Sequence, residues 1–101
     1  MTPNEGRSWI GWTFFSNHAH VIILMARSPM IRTRDLAHQI GITERAVQRI
    51  IADLVDGAYV SRERIGRRNR YIVHEDRFLR HPVEGDCRIR DLLAAVSPKV
   101  D

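Results

Sequence analysis

Cysteine, lysine and long hydrophobic runs are nearly absent from this chain. The one cysteine, Cys87, excludes an internal disulfide and provides no group of thiolates for a zinc cluster. The apolar run at residues 21–26 is far shorter than the ~20 residues that a membrane-spanning helix needs. The start of the chain also lacks the basic residues and the apolar stretch of a secretory signal. These absences predict a cytoplasmic protein that does not enter a membrane.

The residue patterns of enzymes and metal sites are missing too. Gly66 and Gly85 stand apart from any glycine-rich phosphate loop, and no nucleophile has a base and an orienting group nearby. His18 and His20 are two residues apart, so on a helix they point in nearly opposite directions and cannot share one ion. The sequence therefore predicts a protein without catalytic activity, metal or cofactor.

Arginine is the residue type present in excess. All but one of the 16 basic residues are arginine, and the formal net charge is +4 with a sequence pI of about 10.2. A surplus of positive charge favours an anionic partner, and arginine suits both phosphate and guanine. With 101 residues, of which 44% are hydrophobic, the chain is expected to form one domain over residues 1–101.

Residues 33–50, TRDLAHQIGITERAVQRI, have the pattern of two short helices that cross at a steep angle. Gly41 follows the first helix and is expected to adopt the left-handed backbone that ends it. Thr33 and Thr43 are expected to cap the first and the second helix, and the second runs over residues 44–56. Apolar side chains stand where the two helices must pack, at Leu36, Ala37, Ile40, Ile42, Val47 and Ile50. This pattern predicts a helix-turn-helix.

The second of these helices has two distinct faces. The core face is expected to contain Val47, Ile50, Ile51 and Leu54, which recur at helical spacing. The opposite face and the N-terminus carry polar side chains that suit the base edges of a major groove: Thr43, Glu44, Arg45, Gln48 and Arg49. Arginine can contact guanine, glutamine can contact adenine, and glutamate can accept from cytosine. The alternative is a solvated helix face that has no partner.

Residues 59–73, YVSRERIGRRNRYIV, place strand-forming side chains on both sides of a glycine, which predicts a β-hairpin with a turn at residues 66–69. The basic side chains are Arg62, Arg64, Arg67, Arg68 and Arg70, against the acidic Glu63. This excess of four equals the net charge of the whole chain. A polyanion would compensate so many close arginines, and the alternative is an edge strand kept soluble by charge. The alternation of Arg62 and Arg64 also suggests a face shared with the second helix.

Three further elements complete the expected fold. Ser16 is expected to cap a central, mostly buried helix that ends near Arg27 or Ser28. Residues 30–32 are expected to form a very short strand that leads into the helix pair. Residues 84–96 are expected to form a last helix, because apolar side chains recur there at steps of three and four.

Apolar side chains at the two ends of the chain predict a homodimer. Residues 8–15 are expected to form a short element across the core and contain the aromatic side chains of Trp9, Trp12, Phe14 and Phe15. The apolar stripe of the last helix consists of Ile89, Leu92, Leu93 and Val96. Exposed together these side chains would favour aggregation, whereas across a two-fold axis they cover each other. The alternative is a last helix folded onto its own subunit in a monomer.

Residues 33–71, which include RDLAHQIGITERAVQRIIADLVDGAYVSRERIGRRNRY, resemble the winged helix-turn-helix transcriptional regulators, in particular the broad MarR/ArsR-like group. The segment DLVDGAYV at residues 53–60 matches the family's link between the helix pair and a charged wing. The resemblance covers about residues 12–75 and implies a mostly α fold with a small β-hairpin. That fold is a three-helix core plus wing, here with an extra C-terminal dimerisation helix at residues 84–96.

The resemblance implies sequence-specific binding of double-stranded DNA by a transcriptional regulator. The recognition helix, residues 43–56, would lie in the major groove, and the wing, residues 62–70, on the backbone or in the minor groove. The expected DNA-binding residues are Thr33, Thr43, Glu44, Arg45, Gln48, Arg49, Arg62, Arg64, Arg67, Arg68 and Arg70. Arg67, Arg68 and Arg70 occupy the wing tip.

Two departures from the family and two alternatives accompany this expectation. The chain is shorter than a full MarR protein, and it lacks the cysteine and histidine motifs of ArsR metal sensors. One alternative is a winged-helix module that docks an acidic protein surface. The other is an effector-gated regulator with a small-molecule or metal pocket near residues 9–15.

Overall fold

A computed structural model describes residues 11–97 as four α-helices and one two-stranded antiparallel hairpin. The helices are α1 (Asn17–Arg27), α2 (Thr33–Ile40), α3 (Glu44–Asp56) and α4 (Ile89–Val96). The hairpin strands are β1 (Val60–Ile65) and β2 (Arg68–Val73), and a 3₁₀ turn covers Pro82–Glu84. Within residues 11–97, every helix is too short or too polar to traverse a lipid bilayer.

Helix α1 lies at the centre of the hydrophobic core. Its side chains Val21, Ile22 and Met25 are almost completely buried, and the helix contacts α2, α3, α4 and β2. The expected cap is confirmed, because Ser16 Oγ accepts a hydrogen bond from the Ala19 N–H at 3.3 Å. The prediction of a central buried helix is therefore confirmed.

The turn between α2 and α3 confirms most of the local predictions. Gly41 has a φ of +85°, the left-handed conformation expected of it, and its N–H donates to the Ala37 carbonyl at 2.8 Å. Thr43 Oγ1 accepts from the Ala46 N–H at 3.0 Å and caps α3. The prediction for Thr33 is wrong. Helix α2 begins one residue earlier than expected, so Arg32 is its N-cap and Thr33 its first helical residue.

The hairpin forms as expected but with a tighter turn. Ile65 pairs with Arg68, so the loop contains only Gly66 and Arg67, and the four-residue turn at residues 66–69 is wrong. Gly66 has a φ of +61°, which suits the first position of a two-residue hairpin loop. Arg68 and Asn69 consequently belong to β2 rather than to the turn.

The segment between α1 and α2 lies along the free edge of β2. Its one backbone hydrogen bond to that strand runs from the Tyr71 N–H to the Pro29 carbonyl at 2.8 Å. The prediction of a short strand at residues 30–32 is wrong, because Arg32 already begins the turn of α2 and no ladder follows.

The last helix starts later than predicted. Backbone hydrogen bonds join Leu79 N–H to Cys87 carbonyl and Ile89 N–H to Arg77 carbonyl, both at 2.9 Å, and hold residues 87–89 extended. Helix α4 therefore begins at Ile89 instead of residue 84. Ile89 is 4% exposed and joins the core, and Leu92 and Leu93 pack against that core.

The aromatic segment before α1 does not lie across the core in its described part. Trp12 and Phe14 are 76% and 89% exposed, and their rings contact each other edge to face at 4.9 Å. Residues 11–15 form no helix or strand. Trp9, the fourth aromatic residue of the expected element, lies outside the described residues.

Candidate nucleic-acid interface

Helix α3 separates its apolar and polar side chains as the sequence predicts. The apolar side chains Val47, Ile50, Ile51 and Leu54 are buried, and each of these residues is at most 7% exposed. The side chains on the opposite side are exposed to solvent: Thr43, Glu44, Arg45, Gln48, Arg49 and Ala52. Since Thr43 Oγ1 already accepts from the backbone, its hydroxyl is held at the start of this face. The exposed face offers guanidinium, amide and carboxylate groups together.

One face of the hairpin carries both core side chains and arginines. By strand alternation Arg62 and Arg64 share a face with Val60, which is buried in the core against which α3 also packs. In the register, Arg62 stands opposite Tyr71 on this face. This face of the hairpin is therefore buried beside α3 at Val60 and carries the exposed side chains of Arg62 and Arg64 farther along β1.

Three hairpin arginines are bound by other groups of the fold. Arg70 Nη1 lies 3.5 Å from Glu63 Oε1 across the two strands. Arg64 Nε donates to the Gly66 carbonyl at 3.1 Å, at the turn. Arg68 Nη2 donates to the Met30 carbonyl at 2.9 Å, so its side chain bends back to the α1–α2 segment. Arg68 is therefore partly structural, a role that the sequence analysis does not predict.

The remaining arginines of this region have no such partner. Six exposed arginines make no hydrogen bond or ion pair to any side chain or carbonyl within residues 11–97: Arg32, Arg34, Arg45, Arg49, Arg62 and Arg67. In the same part of the chain only Arg80 shares this property. Because the six lie in α3, in the hairpin and at the start of α2, their uncompensated charge is concentrated in these three elements.

Arg32 and Arg34 are basic residues of this group that sequence reasoning missed. They flank Thr33, which the sequence analysis includes for DNA binding. The signal available in the sequence was the segment Arg-Thr-Arg at the start of the first helix of the pair. Both side chains are exposed at the start of α2.

A separate cavity of about 600 Å³ lies on the other side of α3, between α1 and residues 79–92. Apolar side chains such as Ile22, Leu54 and Ile89 line it, together with Phe14 and Phe15 from the segment before α1. At its rim the His18 Nε2 atom lies 2.8 Å from Asp53 Oδ2. Its volume is within the range of small-molecule sites.

Within residues 11–97, no three histidine, cysteine, aspartate or glutamate side chains come close enough together to hold a metal ion. Burial lowers the pKa of His20 below its usual value. The His20 Nδ1 atom lies 3.2 Å from Asn17 Oδ1.

The sequence matches no protein-family model. A comparison with curated proteins gives no match either. A functional assignment therefore depends on the residues and the geometry of this chain.

Proposed function

We propose that this chain is a winged helix-turn-helix domain of the MarR/ArsR-like kind that binds double-stranded DNA sequence-specifically and regulates transcription. In this proposal α3 is the recognition helix and the hairpin is the wing. The left-handed Gly41 between α2 and α3, the Thr43 cap and a hairpin that packs beside α3 support this layout.

The observation that carries the proposal is the concentration of arginines without internal partners. Six of them lie between residues 32 and 67, in the three elements that a winged helix presents to DNA. Exposed like charges repel each other in the free protein, and a polyanion removes that repulsion when it binds. Duplex DNA supplies evenly spaced phosphates for such a set.

The exposed face of α3 supports sequence-specific contact rather than charge neutralisation alone. Arg45 and Arg49 lie four residues apart and can each make paired hydrogen bonds to guanine O6 and N7. Gln48 can pair with adenine, and Glu44 can accept from the cytosine amino group. The preferred site should therefore contain guanines within the few base pairs that one helix covers.

We also propose a homodimer through the N-terminal aromatic segment and the C-terminal helix. The exposed Trp12–Phe14 pair supports an apolar contact there, because such rings gain from removal from water. Helix α4 contributes less of its stripe than expected, since Ile89 is already buried in its own subunit. In a two-fold dimer the recognition helices would meet successive major grooves about 34 Å apart, on an inverted repeat.

A second candidate is the effector-gated form of the same regulator. The cavity of about 600 Å³ beside Phe14 and Phe15 favours it, since Leu54 of α3 forms part of its wall. A small apolar molecule bound there would contact the helix that we assign to DNA. A thermal shift with added small molecules, compared with and without duplex DNA, tests this candidate.

The decisive experiment is selection of duplexes from a random library by the purified chain, followed by a salt titration of the selected duplex. If Arg45 and Arg49 contact bases and the other four arginines together neutralise three or four phosphates, the log–log slope should be about −3 per subunit. A selected consensus together with this slope supports the proposal. The absence of binding at about 50–100 mM salt, or binding insensitive to salt, contradicts it and favours a protein-docking module.

A further inference from the structure

A second, smaller cavity of about 200 Å³ lies between the start of α2 and the outer end of the hairpin. The α2 side contributes Arg32 and Thr33, and the hairpin side contributes Arg67, Arg68 and Asn69. These groups come from positions more than thirty residues apart in the chain. The fold therefore brings three arginines, one threonine and one asparagine to the walls of one cavity.

The charge of this cavity is entirely positive. None of the residues that line it is acidic. Asp35 lines a different cavity, which shares Met30, Ile31 and Arg68 with this one. Three arginines around a cavity whose lining contains no acidic residue repel one another, and an anion bound between them removes this repulsion.

Two hydrogen bonds hold the walls of the cavity in place. Arg68 Nη2 donates to the Met30 carbonyl at 2.9 Å, and the Tyr71 N–H donates to the Pro29 carbonyl at 2.8 Å. Both join the hairpin to the segment that precedes α2. Arg32 and Arg67, by contrast, have no partner among residues 11–97, so their donors are free for a ligand in the space between.

We propose that this cavity holds one phosphate group of the DNA backbone between Arg32 and Arg67. A guanidinium presents its donors in a plane that matches two phosphate oxygens, and the Thr33 hydroxyl and Asn69 amide supply neutral donors. This site rests on the proposed function and makes it more specific. Because one phosphate would contact α2 and the hairpin together, it would fix how the DNA strand passes between them.

The test uses a duplex selected by the full chain, in which each phosphate is replaced in turn by an uncharged methylphosphonate. The wild-type chain should lose affinity at a small set of positions. The Arg32→Gln variant should bind the unmodified duplex roughly tenfold more weakly, the loss of about one charged hydrogen bond. At one position of that set, the methylphosphonate should cause a clearly smaller loss in this variant than in the wild type, because only Arg67 and the neutral donors still contact that phosphate.

The matched control is Arg34→Gln, which removes the same charge two residues away on the same helix, at a residue that does not line the cavity. Arg34→Gln should keep the full wild-type loss at the position where Arg32→Gln reduces it. Asn69→Ala, which changes no charge, should also reduce the loss at that position. The proposal is overturned if Arg32→Gln shows the full wild-type loss at every sensitive position, or if Arg32→Gln and Arg34→Gln show a reduced loss at the same position.

A second arm separates this site from DNA binding as a whole and from binding of a free phosphate compound. Inorganic phosphate and pyrophosphate are titrated against the chain without DNA, and the amide signals of Thr33 and Asn69 are followed by NMR. If the chain binds no duplex, the proposed function fails. In that case the cavity could bind only free anions. This requires that the amide signals of Thr33 and Asn69 shift in the wild type and do not shift in Arg32→Gln. Duplex binding with the position-specific loss, and millimolar or weaker affinity for the free anions, supports the backbone phosphate.

Discussion

The arginines of the C-terminal segment, residues 74–97, and those of residues 32–73 have very different surroundings. In the C-terminal segment Arg77 donates to the Gly57 carbonyl at 2.9 Å and lies over the Tyr59 ring, 5.1 Å from its centre. Arg90 lies 3.2 Å from Asp76, and Arg88 lies over the Phe78 ring. Most arginines of residues 32–73 have no comparable partner within the described chain.

The two regions also differ in the ratio of arginines to carboxylates. Residues 74–97 contain four arginines and five acidic residues, whereas residues 32–73 contain nine arginines and five acidic residues. In residues 74–97, three of the four arginines contact other segments of the fold. In residues 32–73, six of the nine arginines have no partner within residues 11–97. Substitutions in the two regions should therefore affect different measurements.

The largest effect is expected at the exposed face of α3. Arg45→Ala and Arg49→Ala should each weaken binding to the selected duplex by about 1–3 kcal/mol and reduce the preference for its guanines. Thermal stability should stay the same, because neither side chain has a partner in residues 11–97. Fluorescence anisotropy on the selected and scrambled duplexes, with parallel thermal unfolding, measures both. A loss of stability equal to the loss of affinity would show that Arg45 and Arg49 also have a structural role.

The opposite result is expected for Arg77→Gln. The loss of its hydrogen bond to Gly57 should lower the free energy of unfolding by about 1 kcal/mol. The affinity for DNA and its salt dependence should not change. Chemical denaturation and the salt titration test this, with Arg34→Gln as the control that removes an unpartnered arginine. If Arg77→Gln weakens DNA binding while the fold stays intact, the C-terminal arginines also belong to the interface.

Arg67 and Arg68, which are neighbours in the hairpin, should separate the DNA-binding role of arginine from its structural role. Arg67→Ala should weaken binding to all sequences alike and reduce the salt slope by about 1, without a change in stability. Arg68→Ala should in addition lower stability by about 0.5–1.5 kcal/mol, because its hydrogen bond to Met30 is lost. Equal stabilities of the two variants would show that the Met30 contact contributes nothing measurable.

The smallest effect is expected from pH. Burial lowers the pKa of His20 from its usual 6.5, so well above pH 6.5 the ring is neutral in both the folded and the unfolded chain. As the pH falls below 6.5, the unfolded chain binds a proton that the folded chain binds less readily. The free energy of unfolding should then decrease, and His20→Gln should remove that part of the decrease. If the pH dependence of stability is unchanged in His20→Gln, a group other than His20 causes the decrease.

Local patterns in the sequence were sufficient for α3 and for the turn that precedes it. The bounds of α3, the left-handed Gly41 and the Thr43 cap depend on residues within four positions of each other, and all three are confirmed. The buried face of α3 follows from the same short-range periodicity. Such features can be predicted because hydrogen bonds within one turn decide them.

Contacts between distant segments account for the wrong start of the last helix and for the structural role of Arg68 that was not predicted. Helix α4 starts at Ile89 because residues 77–79 pair with residues 87–89, which the apolar periodicity of the last segment does not reveal. Arg68 has a structural role because its partner, Met30, lies 38 residues away. The position of Arg32 beside Arg67 has the same origin. Which residues converge in space depends on how the hairpin packs against the α1–α2 segment.

The hydrogen bond between Tyr71 N–H and the Pro29 carbonyl also has a consequence for the rate of association. It attaches the middle of β2 to the body of the domain, so the hairpin is not an arm that must be ordered when a ligand arrives. Ordering a mobile arm would cost conformational entropy at each binding event and slow the productive encounters. With the hairpin already in place, association should be governed by diffusion and electrostatic attraction, and differences in affinity among variants should appear mainly in the dissociation rate.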